Sequence, residues 1–320
     1  MSDIAFLLPG QGAQHQGMAV ELYGEEPVFT AVLDELFGLL GAEGAALRRD
    51  WLSAEPSVPL EDASRAQPLL FAVGYALGRT LIARGVVPSA LLGHSIGELA
   101  AAALAGVFDL PHAARILSCR SRVLGEVPAG GLLAVAARPE VLTPYLTGEV
   151  VIGAYNAPAQ TVLAGPAGPL AEVAVRLAGA GLVHQRVAAR QPFHSPAVAE
   201  AATRFEAGFT AADLRPPSIP VYSTRTASPV TADEAVSPEF WAGQLAAPVR
   251  FRSALDSLLD GGARILLDLG PRGLSLLALR HPRVRGGGHR VLGALPTTAT
   301  GTRTTWTALL DSLDSLASLD

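Results

Sequence analysis

The strongest chemical signal in the sequence is a serine between glycines, in the pentapeptide GHSIG at residues 93–97. It follows an apolar run over 90–93 that predicts a buried strand, and a helical pattern over 97–107 comes after it. In this setting the G-x-S-x-G glycines permit a tight turn that exposes the serine Oγ at the head of the helix. The N–H of Ile96 and the positive helix end would face a developing oxyanion. Ser95 is therefore predicted to be a nucleophile, against the alternative of a chance match in a chain with 33 glycines.

A serine nucleophile needs a general base, which is most often histidine. The chain has seven histidines. His194 lies in the segment QPFHSP at a predicted domain junction, and loops at such places often carry chemistry. His94 and His15 are its rivals, although the side chain of His94 is expected to point away from the serine. The pattern favours His194 and leaves the other two open.

A second glycine-rich turn, PGQGAQ at 9–14, follows a predicted strand over 4–8. It lacks the Lys-Ser/Thr pair of a phosphate-binding loop and the G-x-G-x-x-G spacing, so nucleotide binding is poorly supported. Open α/β sheets bind ligands beyond the carboxyl ends of their strands. A backbone N–H in this turn could therefore complete an oxyanion hole, and a plain strand-to-loop turn is the alternative.

The elements that must position these residues alternate between strand and helix. Strands are predicted at 4–8, 90–93, 219–223, 264–269 and 290–295, and helices at 68–84, 97–107, 111–127 and 305–319. This alternation indicates a mostly parallel sheet with both faces covered.

The middle of the chain has a different pattern. Strands at 132–137, 150–155, 161–164 and 183–188, with helices at 139–146 and 168–178, give the order βαββαβ of a ferredoxin-like unit. We therefore predict a small subdomain over 128–194, inserted into a larger α/β domain made of 1–127 and 195–320.

Composition narrows the function class. The 320 residues are 49% hydrophobic, which is enough for a sizeable core, and the net charge of −5 gives no basis for nucleic-acid binding. No apolar run is long enough to span a bilayer, and the N-terminus has no signal-peptide pattern. Cys119 is the single cysteine, so an intrachain disulfide is impossible. A cytoplasmic enzyme without membrane or nucleic-acid partners is expected.

Seven ordered segments give the sequence a family resemblance. They are FLLPGQGAQ at 6–14, QP at 67–68, GHSIGELAA at 93–101, CRSRVL at 119–124, NAPAQ at 156–160, FHS at 193–195 and the segment 244–248. In order and spacing they are similar to malonyl-CoA:acyl-carrier-protein transacylases and to the acyltransferase domains of polyketide synthases. The resemblance implies an α/β-hydrolase-like large domain with an inserted ferredoxin-like subdomain.

The resemblance also implies catalytic roles. Ser95 would be acylated, and His194 would act as general base and then as general acid. The backbone N–H groups of Gln11 and Ile96 would form the oxyanion hole. A backbone carbonyl near Gln244 would orient the histidine, because the family has no triad aspartate.

Substrate contacts follow from the same motifs. Arg120 would bind the free carboxylate of a malonyl group, since a guanidinium fork makes two charge-assisted hydrogen bonds to a carboxylate. A surface arginine on a helix is the alternative. Gln67 and Asn156 would line or support the site.

Two further positions bear on the acyl group. In the family, Phe before the histidine and an aliphatic residue after the serine accompany malonyl, and this chain has Phe193 and Ile96. Gln191, followed by proline, departs from the small residues common before Phe-His. A polar Gln191 near the pocket could signal an unusual acyl group.

The implied reaction is ping-pong acyl transfer. Ser95 takes the acyl group from acyl-CoA and passes it to the phosphopantetheine arm of an acyl carrier protein, with no metal and no permanently bound cofactor. Carrier proteins are acidic, so an arginine cluster is a candidate docking site, with a solvated loop as the alternative. Its members are Arg272, Arg280, Arg283, Arg285 and Arg290.

Other activities remain open at this stage. The chain begins with Met1 directly before the first strand, and we expect a discrete, trans-acting enzyme. Transfer of an aminoacyl or bulky acyl group between two carrier proteins, and hydrolysis of acyl carrier proteins, are alternatives that would use the same serine. A non-catalytic scaffold that binds carrier proteins is a third.

Overall fold

A computed structural model describes residues 3–271, 273–298 and 300–317. Its strands are β1 (Ile4–Leu8), β2 (Ala90–Gly93), β3 (Gly130–Val135), β4 (Val151–Ala157), β5 (Gln160–Pro166), β6 (His184–Arg186), β7 (Val221–Ser223), β8 (Ser228–Pro229), β9 (Ile265–Pro271) and β10 (Arg290–Leu295). Its helices are α1 (Pro27–Leu39), α2 (Gly41–Leu52), α3 (Ala63–Ala83), α4 (Ile96–Leu104), α5 (Leu110–Gly125), α6 (Pro139–Leu142), α7 (Ala167–Gly179), α8 (Ala199–Phe205), α9 (Ala232–Ala235), α10 (Pro238–Gly243), α11 (Phe251–Asp260), α12 (Gly273–Ala278), α13 (Pro282–Arg285) and α14 (Thr302–Ala317).

The larger sheet has the strand order β10-β9-β1-β2-β7-β8. All its neighbours are parallel except β7 and β8. The central strand β1 is buried along its whole length. Phe6 and Leu8 join the core that contains α1, α3, α4 and α5, whereas Ala5 and Leu7 face the core on the side of α11. The predicted mostly parallel sheet with two covered faces is confirmed.

The register of β1 and β2 brings the two glycine-rich turns together. Leu8, the last residue of β1, lies opposite Gly93, the last residue of β2. Because parallel strands end at the same edge of a sheet, the turn at 9–14 and the turn that carries Ser95 leave side by side.

The smaller sheet is antiparallel and has the order β4-β5-β3-β6. With α6 and α7 this is the βαββαβ pattern predicted for the middle of the chain. A separate apolar core lies under it, in which Leu133, Leu163 and Leu170 are fully buried.

A short segment joins the small sheet to the large one. Val249 pairs with β4, where its N–H donates to the carbonyl of Gly153 and its carbonyl accepts from the N–H of Tyr155, both at 2.8 Å. The residues just before Val249 therefore have a fixed place beside the smaller sheet.

Helix α3 begins five residues earlier than predicted. Asp62 caps it by accepting a hydrogen bond from the N–H of Ser64 at 3.0 Å, and Pro68 lies inside the helix. Proline has no N–H for the carbonyl four residues before it. The carbonyl of Ser64 accepts from Nη1 of Arg65 at 3.4 Å instead.

Two helices were not predicted at all, and one more begins early. Helices α1 and α2 lie where none is predicted, and they bury Phe29, Phe37 and Trp51 against the large core. Helix α14 begins three residues before its predicted start, and the predicted residues 318–319 lie outside the described residues. No helix in the described ranges is long and apolar enough to cross a membrane.

Candidate active site

Ser95 lies at a strained turn between β2 and α4. Its φ of 54° is in the left-handed region, which is uncommon for a residue other than glycine. Gly93 and Gly97 make the turn possible. A Cβ on Gly97 would lie 2.0 Å from the carbonyl oxygen of Leu8, and one on Gly93 would lie 2.2 Å from the nitrogen of Glu98. The G-x-S-x-G spacing is thus required by close packing between the turn, strand and helix.

Ser95 forms a hydrogen-bonded pair with His194. Oγ of Ser95 is 2.8 Å from Nε2 of His194, and the two residues are 8% and 5% exposed. His194 also has a positive φ, of 62°, and its N–H donates to the carbonyl of Leu245 at 2.9 Å. The site therefore combines a hydroxyl and an imidazole, each held in an uncommon backbone conformation.

Two backbone carbonyls define the tautomer of His194. Nδ1 lies 2.9 Å from the carbonyl oxygen of Ala247 and 3.2 Å from that of Gln244. Because carbonyl oxygens only accept, Nδ1 carries the proton and Nε2 is free to accept from Ser95. The side chain of Gln244 adds a further link, since its Nε2 donates to the carbonyl of Ser95 at 2.7 Å.

The imidazole of His194 is held in its neutral form. Burial, together with the nearby His94 and Arg120, lowers the pKa of His194 to about 3 against the opposing effect of the two carbonyls. A neutral imidazole whose Nε2 faces a hydroxyl can accept the hydroxyl proton when the oxygen attacks.

The structure separates the other two candidate histidines from Ser95 Oγ. Nε2 of His94 is 2.9 Å from Oδ1 of Asn156, and its ring lies 5.8 Å from that of Phe251. Nδ1 of His15 contacts the carbonyl of Gln16 at 3.0 Å. Asn156, in β4 of the smaller sheet, thus contacts His94, which follows β2 of the larger sheet.

The turn after β1 lies against the nucleophile. A Cβ on Gly10 would be 3.2 Å from Cβ of Ser95 and 2.7 Å from the carbonyl oxygen of His94. In the described chain, no residue accepts a hydrogen bond from the backbone N–H of Gln11 or of Ile96. Unpaired backbone N–H donors that point at the reacting carbonyl can stabilise an oxyanion.

A buried guanidinium lies on α5. Arg120 is 1% exposed and lies over the ring of Phe205, 5.3 Å from its centroid. Its Nε donates to Oε1 of Gln67 at 2.5 Å, and Nε2 of Gln67 donates to Oε1 of Gln11 at 3.0 Å. Both Nη atoms are buried and have no partner among the described residues. Burial lowers the pKa of Arg120 to about 9, so it is still charged at neutral pH.

Phe193 packs beside His194, and Gln191 reaches helix α5. Phe193 is buried, with its ring centroid 6.5 Å from that of His194. Nε2 of Gln191 is 3.5 Å from the carbonyl of Leu124, one turn beyond Arg120 on α5. The Gln191 Oε1 is buried and has no partner within the described ranges.

The predicted arginine cluster is on the surface. Arg280 bonds to Oε1 of Gln160, and Nη1 of Arg283 donates to Oδ1 of Asp260 at 2.7 Å. Arg285 and Arg290 are also exposed, whereas Arg272 lies outside the described residues.

Sequence reasoning missed three contributors to this site. The carbonyl of Ala247 is one, and a backbone carbonyl leaves no side-chain signal. Phe205, under Arg120, is another. The third is Glu98, whose signal is a carboxylate inside the otherwise apolar and small-residue helix α4.

Known proteins are similar to this chain in sequence and fold. Residues 5–306 match the family model described as the acyl transferase domain. One protein of the phenolphthiocerol/phthiocerol polyketide synthase of Mycobacterium tuberculosis is 40% identical over 282 residues, which are 88% of this chain and 19% of that protein. Spectinabilin polyketide synthase system protein NorB of Streptomyces orinoci is 36% identical over 84% of this chain and 13% of its own length.

Two solved structures of acyltransferases are similar to this chain in fold. The acyltransferase domain from the second module of the salinomycin polyketide synthase has a TM-score of 0.87 and 32% identity, covering 96% of this chain and 72% of that one. The malonyl-CoA:acyl carrier protein transacylase of Xanthomonas oryzae has a TM-score of 0.84 and 26% identity, covering 98% of each chain.

Proposed function

The chain belongs to the acyl transferase domain family, and on that premise we propose that it moves a malonyl-type acyl group from coenzyme A to an acyl carrier protein. The family resemblance, the α/β fold and the assignment as an acyltransferase are confirmed. The observation that carries the proposal is the buried pair of Ser95 Oγ and His194 Nε2 at 2.8 Å.

The matched relatives leave the substrate and partner open. The chain spans less than a fifth of the length of the curated relatives named above. The acyl group, the donor thiol and the carrier protein are therefore proposals for this chain. So are the division into 1–127 with 195–320 and an inserted 128–194, and the predicted cytoplasmic location.

The first half of the proposed reaction acylates Ser95. His194 Nε2 takes the proton from Oγ as Oγ attacks the thioester carbonyl, and the N–H groups of Gln11 and Ile96 donate to the oxyanion. Collapse of the tetrahedral intermediate breaks the carbon–sulfur bond. Coenzyme A leaves as a thiol, with the proton that His194 had taken.

The second half returns the enzyme to its starting state. The phosphopantetheine thiol gives its proton to His194 and attacks the acyl-serine, and the proton returns to Ser95 Oγ as the ester bond breaks. Atoms and protons balance with the side chains of Ser95 and His194 alone. The carbonyls of Gln244 and Ala247 hold the imidazole through both halves and stabilise the imidazolium while it exists.

Arg120 supports a carboxylate-bearing acyl group. Its Nε is used by Gln67, its two buried Nη atoms have no partner among the described residues, and its charge is close enough to His194 to lower the pKa of that imidazole. A buried donor without a partner costs free energy, and a carboxylate removes that cost with charge-assisted hydrogen bonds. An acyl group without a carboxylate would leave the guanidinium unpaired.

Two apolar side chains favour malonyl over branched acyl groups. Ile96 and Phe193 are both buried next to the reacting pair. The unpartnered Oε1 of Gln191 favours a second candidate, which is an acyl group with a hydrogen-bond donor such as an aminoacyl group passed between carrier proteins.

The exposed surface of α12, α13 and the residues between them is our proposed carrier docking surface. Arg280, Arg283 and Arg285 are exposed, and Leu276 and Leu279 beside them are 49% and 50% exposed. Cations around an apolar patch would receive an acidic partner that presents apolar side chains.

Intact-protein mass after mixing with malonyl-CoA, methylmalonyl-CoA or acetyl-CoA tests the proposed function, with Ser95→Ala as the control. We expect a malonyl adduct on the wild type and none on the variant. No adduct from any of the three donors, with no free acid released, would reject malonyl transfer from coenzyme A and favour acyl groups delivered on carrier proteins.

A further inference from the structure

Glu98 is a buried carboxylate on the helix that Ser95 begins. It is 1% exposed, three residues beyond the nucleophile, and the proposed acyl-transfer steps do not use it. Burying a charge is costly unless hydrogen bonds compensate for it. The residues that form hydrogen bonds with Glu98 therefore identify the part of the structure that it positions.

The partners of Glu98 are two neighbouring residues at the end of β7. Oε2 accepts from Oγ of Ser223 at 3.0 Å, and Oε1 accepts from the N–H of Thr224 at 2.7 Å and from its hydroxyl. Burial raises the pKa of Glu98, and the hydrogen bonds from Thr224 and Ser223, with a smaller effect of the Gln244 side chain, oppose that rise. The carboxyl oxygens of Glu98 thus contact one backbone N–H and two hydroxyls, all on Ser223 and Thr224.

Residues 224–225, which follow β7, form hydrogen bonds to both ends of the segment 240–250. The carbonyl of Thr224 accepts from the N–H of Arg250 at 2.8 Å. Nη1 of Arg225 donates to the carbonyl of Phe240 at 2.6 Å. Both ends of the segment are thus bound to residues 224–225, next to the carboxylate.

That segment carries the two carbonyls that bind Nδ1 of His194. Gln244 and Ala247 lie between the two attachment points. We propose that Glu98 is a positioning residue for His194. Through Ser223 and Thr224 it ties the nucleophile helix to the carbonyl pair, which keeps the proton on Nδ1 and directs Nε2 at Ser95. This inference rests on the proposed function, in which His194 is the base.

Glu98→Gln tests the inference, since it keeps the size of the side chain but replaces one of its two acceptor oxygens with an NH2 donor. Two readouts are needed. One is the rate at which a fluorophosphonate probe labels Ser95, which requires no knowledge of the acyl substrate. The other is the tautomer of His194, read from the ¹⁵N shifts of the imidazole in ¹⁵N-histidine-labelled protein. Glu172→Gln, on the exposed side of α7, is the matched control.

We expect Glu98→Gln to label about tenfold to a hundredfold more slowly than the wild type, because small displacements of a catalytic group have effects of that order. We also expect His194 to lose its single Nδ1–H tautomer, while Glu172→Gln matches the wild type in both readouts. If Glu98→Gln does not fold, Ser223→Ala decides by the same readouts, because it removes one of the three donors.

Two results would overturn the inference. One is wild-type labelling in the variant. The other is slow labelling with an unchanged tautomer and a lowered melting temperature, which would mean that Glu98 only stabilises the fold. A wild-type protein that is not labelled at Ser95 would instead reject the proposed function, and this inference with it.

Discussion

Gln67 accepts a hydrogen bond from Arg120 at 2.5 Å, between Oε1 and Nε. This bond fixes the guanidinium by its inner edge and leaves both Nη atoms without partners among the described residues. Gln67 is itself held by Gln11, whose N–H is a proposed oxyanion donor. A substrate carboxylate and a reacting carbonyl would therefore be placed by one connected set of side chains.

Removing the guanidinium should remove selectivity for a carboxylate. For Arg120→Ala we expect acylation by malonyl-CoA to fall by a factor of about 30 to several thousand, the effect of losing one partner of a buried charge pair. Acylation by acetyl-CoA should change much less. The measurement is the kcat/KM for acyl-enzyme formation with each donor. Arg122→Ala is the control, because Arg122 lies on the same helix as Arg120 but is exposed, and it contacts Sγ of Cys119. An unchanged malonyl-to-acetyl ratio in Arg120→Ala would contradict the assignment.

Removing the hydrogen bond that positions Arg120 should lower acylation by malonyl-CoA less than removing Arg120 itself. Gln67→Met keeps the volume of the side chain but removes its bonds to Arg120 and Gln11. A hydrogen bond to a charged group contributes about 1.5–3 kcal/mol, so we expect kcat/KM with malonyl-CoA to fall by about tenfold to a hundredfold. Stopped-flow acylation would measure it. If Gln67→Met reacts like the wild type, Gln67 does not position Arg120 for the reaction.

The pH dependence of Ser95 labelling should lack the usual histidine transition. Burial lowers the pKa of His194 to about 3, so the neutral base is fully present above that pH and is lost only as the pH falls towards it. We expect the labelling rate with an uncharged fluorophosphonate to be flat from about pH 5 to pH 8, whereas a solvent-exposed histidine would lose half its activity near 6.5. A midpoint near 6.5 would mean that the imidazole is not held in a dry site.

Gly97, in the turn that carries Ser95, should tolerate no side chain. A Cβ on Gly97 would lie 2.0 Å from the carbonyl oxygen of Leu8, and that backbone atom cannot move without disturbing β1. For Gly97→Ala we expect the free energy of unfolding to fall by about 3 kcal/mol.

Gly38 offers the opposite case. It lies on the exposed side of α1 with open space around its Cα, so Gly38→Ala should raise the free energy of unfolding by about 0.5–1 kcal/mol. Urea titrations of both glycine variants would show the difference in sign. Equal changes in the free energy of unfolding would contradict the close packing described for the turn at Ser95.

The sequence was informative where function depends on local pattern. Strand β10 is observed at its predicted bounds, because its apolar run is ended by a turn, and the turn at Ser95 follows from its glycines. Helix α3 was placed late because Pro68 resembles a helix start, whereas the true start is set by the Asp62 cap. Helix α2 has too weak an apolar face to be recognised without the core that it covers.

For the candidate site, too, local sequence pattern does not specify contacts between distant segments. The pattern favours His194 but does not exclude His94 or His15, because the choice depends on how β4 and the segment before Val249 bring residue 194 to residue 95. Ala247 contributes only a backbone carbonyl, which any residue could supply. These relationships arise from the packing of distant segments and appear only in three dimensions.

The most direct test of the account is transfer of radiolabelled malonyl from malonyl-CoA to free pantetheine, which is the acceptor thiol without any carrier protein. We expect the wild type to form malonyl-pantetheine by way of label on the peptide that contains Ser95, and Ser95→Ala and His194→Ala to form little of either. Malonyl-pantetheine made equally fast by Ser95→Ala, or label released only as malonate, would contradict acyl transfer through Ser95.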